Sequence, residues 1–170
     1  MNHRYFMEKA LAQARSALDR GEFPVGCVIV HENEIIAVGA REGTAGGGVN
    51  ETDHAEMVAL RRLDALGIQA PRERLTLYCT MEPCLMCFGA ILIAGIGAVV
   101  WAYEDAMGGG TGCDRSTLPP LYRDRRITIV SGVLRCESLA LFQAFFRDPA
   151  NAYWSGSFLA RYTLAQAAGG

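Results

Sequence analysis

Apolar residues in the first twenty positions recur at helical spacing. Met7, Leu11, Ala14 and Leu18 fall along one face of a predicted amphipathic helix spanning Met1 to Arg20. Past a turn at Gly21-Glu22 the pattern becomes strand-like. Phe23 to Val30 reads as a strand, His31 to Glu34 as a bend, and Ile35 to Ala40 as its hairpin partner. Gly43 to Asn50, with glycines at 46, 47 and 48, is expected to be a mobile loop. It leads into a helix that starts near His54, with Thr52 or Asp53 as N-cap. Leu75 to Cys79 predicts a strand, and residues 85–95 a helix whose run from Phe88 to Ile96 reads as buried. Ala98 to Ala102 is the next strand. A long loop, Tyr103 to Leu118, precedes a last strand at Ile127 to Val130. Helices follow at about 136–147 and 155–167, split at Asp148-Pro149, where proline stops the first of them. Strands alternating with helices predict parallel pairing with helices on both faces, and the opening hairpin makes the sheet mixed. The fold class is α/β. Residues 1–170 are expected to form one domain, with a helical extension from about residue 150.

Composition narrows the class of partner. The net charge is −2 and the pI about 5.9. Tight binders of polyanions usually carry a basic excess. The chain has only local clusters: Arg61-Arg62, Arg72 with Arg74, and Arg123 with Arg125-Arg126. Solvated surface charge explains these adequately. No apolar run approaches the length of a membrane span, and no signal peptide is legible. Six cysteines without a secretory signal suggest reduced thiols, hence a cytoplasmic protein.

The chemistry concentrates in His54-Ala55-Glu56 and Pro83-Cys84-Leu85-Met86-Cys87. Cys84 and Cys87, three apart, share a helix face. Pro83 suits a helix start, where the dipole favours thiolates. His54 and Glu56 are two apart and would diverge by about 200° within a helix. Both reach one centre only if they sit at the start of a helix aimed at it. His54, Cys84 and Cys87 then supply three ligands to one Zn²⁺, leaving an open position for a water, with Glu56 as proton carrier. Two other readings remain open: a redox CxxC pair, which leaves His54 and Glu56 idle, and a closed structural or interaction zinc site. The latter needs a fourth ligand from Cys27, Cys79, Cys113 or Cys136. The glycines at 108–110 and 112 form no phosphate loop, because no Gly-Lys-Ser/Thr follows. Yet a long loop leaving the carboxyl ends of strands is well placed to touch a ligand.

Phe23-Pro24-Val25-Gly26, His54-Ala55-Glu56 and Glu82-Pro83-Cys84-Leu85-Met86-Cys87 together resemble the cytidine-deaminase superfamily. The nearest branch is that of bacterial tRNA wobble-adenosine deaminases and guanine deaminases. The resemblance runs from about residue 5 to 147. It implies a three-layer αβα fold around a five-stranded mixed sheet, a homodimer, and hydrolytic loss of an exocyclic amine as ammonia with Glu56 shuttling protons. It also places Phe23, Ala55, Glu82 and Asp105 near substrate. Gly39-Ala40-Arg41 stands where the family commonly has Gly-x-Asn, so Arg41 is a candidate replacement contact for a carbonyl, carboxylate or phosphate. The C-terminal segment is aromatic and lacks the basic character of tRNA-binding tails. Tyr153 and Trp154 could stack on a flat ring, and Phe158, Tyr162 and Ala165 form a helical stripe suited to docking. Guanine-deaminase relatives suggest that such a tail comes from the partner subunit. The acidic balance and the missing Asn lead us to expect a free nucleobase, nucleoside or related small heterocycle, with the wobble adenosine of tRNA as the alternative substrate.

Overall fold

The computed structural model describes residues 2–46 and 48–167. Helix α1 (His3–Asp19) starts at Asn2, whose side chain accepts from the Tyr5 N–H. It buries Phe6, Met7, Ala10, Leu11, Ala14 and Ala17, and Leu18 is partly buried. Strands β1 (Gly26–His31) and β2 (Glu34–Ala40) form the expected hairpin. Its bend is made by Glu32 and Asn33, both left-handed. Helix α2 (Ala55–Ala65), strand β3 (Thr76–Met81), helix α3 (Leu85–Ala94) and strand β4 (Ala98–Tyr103) follow. A short helix α4 (Pro120–Arg123), strand β5 (Thr128–Val130) and helices α5 (Arg135–Arg147) and α6 (Phe158–Ala165) complete the chain.

The sheet order is β2-β1-β3-β4-β5. Strand β1 is antiparallel to both β2 and β3, while β3, β4 and β5 run parallel, so the sheet is mixed as expected. Alternation along the strands separates two cores. Cys27, Ile29, Leu77, Cys79 and Val99 face α2 and α3. Val28, Val30, Tyr78 and Val100 face α1 and the Leu141 side of α5. Each fully buried aliphatic side chain in these layers contributes about 1.5–3 kcal/mol. Gly39 in β2 lies so close to α2 that any Cβ there would collide with the Ala55 carbonyl. That close approach presses the first turn of α2 against the sheet.

Three expectations need correction. The N-cap of α2 is His54 itself, with no side-chain cap. Thr52 and Asp53 instead donate their backbone N–H groups to the Asn50 side chain. Helix α3 is buried only along Cys87, Phe88, Ile91 and Leu92; Leu85, Met86 and Ile93 are exposed. In α6 the docking face is Leu159, Ala160 and Thr163, while Phe158 and Ala165 are exposed and Tyr162 is half-buried. The phase is set by Ser157, whose side chain caps Ala160 N–H, and by a 3.0 Å hydrogen bond between the Thr163 and Tyr103 hydroxyls. The loop after β2 is tied at its base. The Glu22 carboxylate accepts from the N–H groups of Gly43, Thr44 and Ala45.

Candidate active site

Helices α2 and α3 begin at the same place. His54 and Cys84 occupy the two N-cap positions in extended conformations, and neither side chain caps its own helix. Both are thereby free to meet each other. His54 Nδ1 lies 3.6 Å from Cys84 Sγ and 3.4 Å from Cys87 Sγ. A tetrahedral zinc with bonds of about 2.0–2.1 Å to nitrogen and 2.3 Å to sulfur holds such atoms about 3.6 Å apart. The donor set therefore fits zinc in both chemistry and spacing. Among the described residues, the cluster of His, Cys, Asp and Glu ligand atoms lying within 4.8 Å of one another has three members: His54, Cys84 and Cys87. Neither Cys27, Cys79, Cys113 nor Cys136 joins it. Cys27 and Cys79 are buried partners across β1 and β3. A tetrahedral ion held by the three would keep one position open.

Electrostatics favour a metal-ready state. A hydrogen bond from the Cys87 thiol, aided by His54, lowers the Cys84 pKa to about 4. The same hydrogen bond, together with burial, raises Cys87. The first-turn N–H groups of both helices add positive potential. Glu56, in the first turn of α2, is 3% exposed, and burial raises its pKa despite its own backbone N–H and the attraction of His54. A carboxyl so placed holds a proton more readily than an exposed one and can return it.

Above this floor is a cavity of about 100 Å³. Its walls include Phe23, Val25, Ala55, Met81 and Leu159, with Arg41, Glu82, Asp105, Tyr153 and Trp154 toward the mouth. Every predicted site residue but Cys87 lines this pocket, and Cys87 lies behind it against His54, but their surroundings differ. Phe23 is locked among Phe142, Phe145, Phe146 and Tyr153, with ring centroids 5.1–5.8 Å apart. Glu82 turns its carboxylate to the Asp105 and Thr111 N–H groups and the Thr111 hydroxyl, so it anchors the loop after β4. Asp105 accepts from Met107 and Gly108 N–H. Gly109 and Gly110 of that loop are needed for close approach: a Cβ on Gly110 would sit 2.7 Å from the backbone nitrogen of Leu85.

Arg41 is only 2% exposed. Its guanidinium donates to the Glu42 carbonyl at 2.7 Å and to Glu51 at 3.3 Å, and lies 5.7 Å from the centroid of the Tyr153 ring. Tyr153 donates its hydroxyl to Glu51 at 2.8 Å, and burial pushes its pKa up to about 12, so it stays a donor. The tail that carries Tyr153 and Trp154 folds onto its own chain. Gln143 donates to the Thr163 and Gln166 carbonyls, and Glu104 accepts from Arg135 and Tyr162. Sequence reasoning missed Val25, Met81, Gly108 and Leu159 as walls and Glu51 as the anchor of Arg41. Met81 could have been found, since it ends a strand directly before the Pro83-Cys84 motif; Glu51 carries no local signal.

Comparison with known proteins agrees with this geometry. A family model described as the cytidine and deoxycytidylate deaminase zinc-binding region matches residues 1–103. A tRNA-specific adenosine deaminase of Streptococcus pyogenes is 35% identical over 146 residues, covering 85% of this chain and 89% of the relative. A solved structure from a study of A-to-I editing by tRNA:A34 deaminases at the wobble position gives a TM-score of 0.67 at 33% identity. It covers 81% of this chain and 98% of that one. The guanine deaminase of Nitrosomonas europaea shares the fold, with a TM-score of 0.68 at 24% identity over 84% and 83% of the two chains. The chain belongs to the cytidine and deoxycytidylate deaminase family and is a zinc-dependent hydrolase of carbon–nitrogen bonds in cyclic amidines.

Proposed function

We propose that this chain replaces the exocyclic amine of a nucleobase with oxygen from water, releasing ammonia, and that the base enters the pocket ring first. The observation that carries this reading is the three-ligand group His54, Cys84 and Cys87 at the floor of a cavity, with the buried Glu56 carboxyl beside it. Zinc, when bound by these three, supplies Lewis-acid activation of a water. Glu56 would take the proton that water loses and deliver it to a ring nitrogen, then carry the remaining proton of the new ring hydroxyl to the departing amine as the carbonyl forms and the C–N bond breaks. Ala55 N–H, at the positive end of α2, faces the carbon under attack. Glu82 and Asp105 hold the loop after β4 against the ring.

Adenosine at the wobble position of tRNA is the substrate that the relatives support, through 35% identity across most of both chains. A second reading, a free base or nucleoside, is favoured by one specific observation. This chain's own tail lines the pocket mouth through Tyr153 and Trp154, with Arg41 buried against it. We further propose a homodimer, in which the exposed Leu85, Met86 and Ile93 of α3 are covered by a second copy. Light scattering showing a monomer at micromolar concentration would remove that proposal. Substrate is settled by measuring ammonia release from guanine, adenine, cytosine and their nucleosides beside inosine formation on a tRNA anticodon stem-loop. Salt-sensitive turnover of the stem-loop alone supports the tRNA reading, and turnover of a free base or nucleoside alone supports the second.

A further inference from the structure

Trp154 is the wall residue that packing does not explain. Its backbone has a φ of +55°, in the left-handed region that a bulky residue rarely adopts and occupies at a cost. The other left-handed position of this turn, Gly156 at +73°, has no Cβ to strain. Burial does not compensate Trp154, because it is 38% exposed. Among the described residues its one aromatic neighbour is Tyr153, tilted 33° with centroids 5.5 Å apart. Nor does the indole hold the turn together. Main-chain bonds do so, from Ser155 N–H to the Ala152 carbonyl and from Ser157 N–H to the Trp154 carbonyl, and Ser157 caps α6.

The position is distinguished by what it separates. The cavity above His54 and Glu56 is about 100 Å³. A second cavity of about 580 Å³ lies on the other side of the turn, against Thr44, Val49, Glu51 and Asn151. Tyr153 and Trp154 are the two residues that line both. Tyr153 is engaged with Glu51 and Arg41, whereas the Trp154 indole has no such partner among the described residues. The described lining of the outer cavity includes the Glu51 carboxylate and no lysine or arginine.

We propose that Trp154 is a substrate-contacting specificity residue. Its indole stacks on the flat ring entering the inner cavity, and the outer cavity takes an uncharged group attached to that ring, as in a nucleoside. The strained backbone is retained because it aims the indole at the threshold. This inference rests on the deaminase reading and extends it to the class of ring and substituent.

The test uses the zinc-loaded full chain. Trp154 and Trp101 are its two tryptophans, so Trp101→Phe leaves Trp154 as the single indole reporter. Adenosine, guanosine and cytidine, each beside its 5′-monophosphate, are titrated while indole emission is followed. At least one nucleoside should quench saturably, and its monophosphate should bind at least about tenfold more weakly, because the described lining of the outer cavity has no lysine or arginine and Arg41 beside it is already paired with Glu51. Trp154→Gly, which relieves the strain, should keep zinc and melt no lower than wild type. Read by calorimetry, since these variants lack the reporter, it should weaken that nucleoside roughly five- to a hundredfold, the range of base–aromatic stacking, while Trp154→Phe restores most of the affinity. Absence of saturable quenching by every nucleoside overturns the proposal, as does unchanged affinity in Trp154→Gly. A lower melting temperature in Trp154→Gly, with affinity intact, would make the indole a packing residue. Quenching reports binding without turnover. A zinc-loaded protein that binds nucleosides but releases no ammonia would therefore count against the deaminase reading and leave this one standing.

Discussion

At the floor of the pocket, His54 and Cys84 stand where α2 and α3 begin, and two backbone starts fix their positions. At its mouth, Arg41 and Tyr153 meet across 112 residues of sequence, through side-chain hydrogen bonds of 2.8–3.5 Å that run partly by way of Glu51. The floor is set by helix geometry, two helix starts and the spacing of Cys84 and Cys87. The mouth is long-range and held by contacts worth about 0.5–1.5 kcal/mol each. A chain can therefore alter the mouth, and with it the substrate, while its chemistry stays intact. We propose that Arg41, standing where the family resemblance implies an Asn, is such an alteration.

The comparison predicts a graded series of effects. Replacing Cys87, fully buried and within 3.4 Å of His54 Nδ1, with Ala should remove both zinc and turnover, as read by metal analysis and ammonia release. Arg41→Asn should come next. It should keep zinc and change the ratio of kcat/KM between two accepted substrates by roughly tenfold or more, since buried polar partners are lost or gained. Equal kinetics on every substrate would reduce Arg41 to a structural residue. Tyr153→Phe removes one hydroxyl and should raise KM about three- to tenfold with zinc content unchanged.

The smallest effect concerns how the tail is tied down. Glu104 is pulled below the usual carboxylate range. Burial alone would raise it, but hydrogen bonds from Arg135 and Tyr162 outweigh that. Because its pKa is lower folded than unfolded, its contribution is complete above about pH 4.5 and fades as the pH falls through the folded value. Glu104→Gln should cost about 1 kcal/mol at neutral pH and less in acid, measured by denaturant unfolding across that range. A cost that grows on acidification would contradict the assignment.

The floor was legible in the sequence for the reason that made it robust. A two-residue separation between His54 and Glu56 is compatible with one centre only at a helix start, and a three-residue separation places Cys84 and Cys87 on one face. The strands, whose apolar alternation is strong, were legible too. The N-cap of α2 was not, because Thr52 and Asp53 are good caps by residue type, but the Asn50 side chain two and three positions earlier takes up their N–H groups in a local turn. The docking face of α6 was missed because Thr163 is polar, and its burial depends on the Tyr103 hydroxyl 60 positions earlier. Burial of Arg41 likewise depends on Glu51 and Tyr153, which no local pattern connects to it.

The central claim is that three protein ligands leave a zinc position open for a water whose protons Glu56 handles. The direct measurement is zinc content and ammonia release in Glu56→Ala beside wild type, on whichever nucleobase, nucleoside or anticodon stem-loop wild type accepts. The account predicts one zinc per chain in both proteins and a loss of about 10²–10⁴ or more in rate for Glu56→Ala. A Glu56→Ala protein that keeps its zinc and its full rate would contradict it.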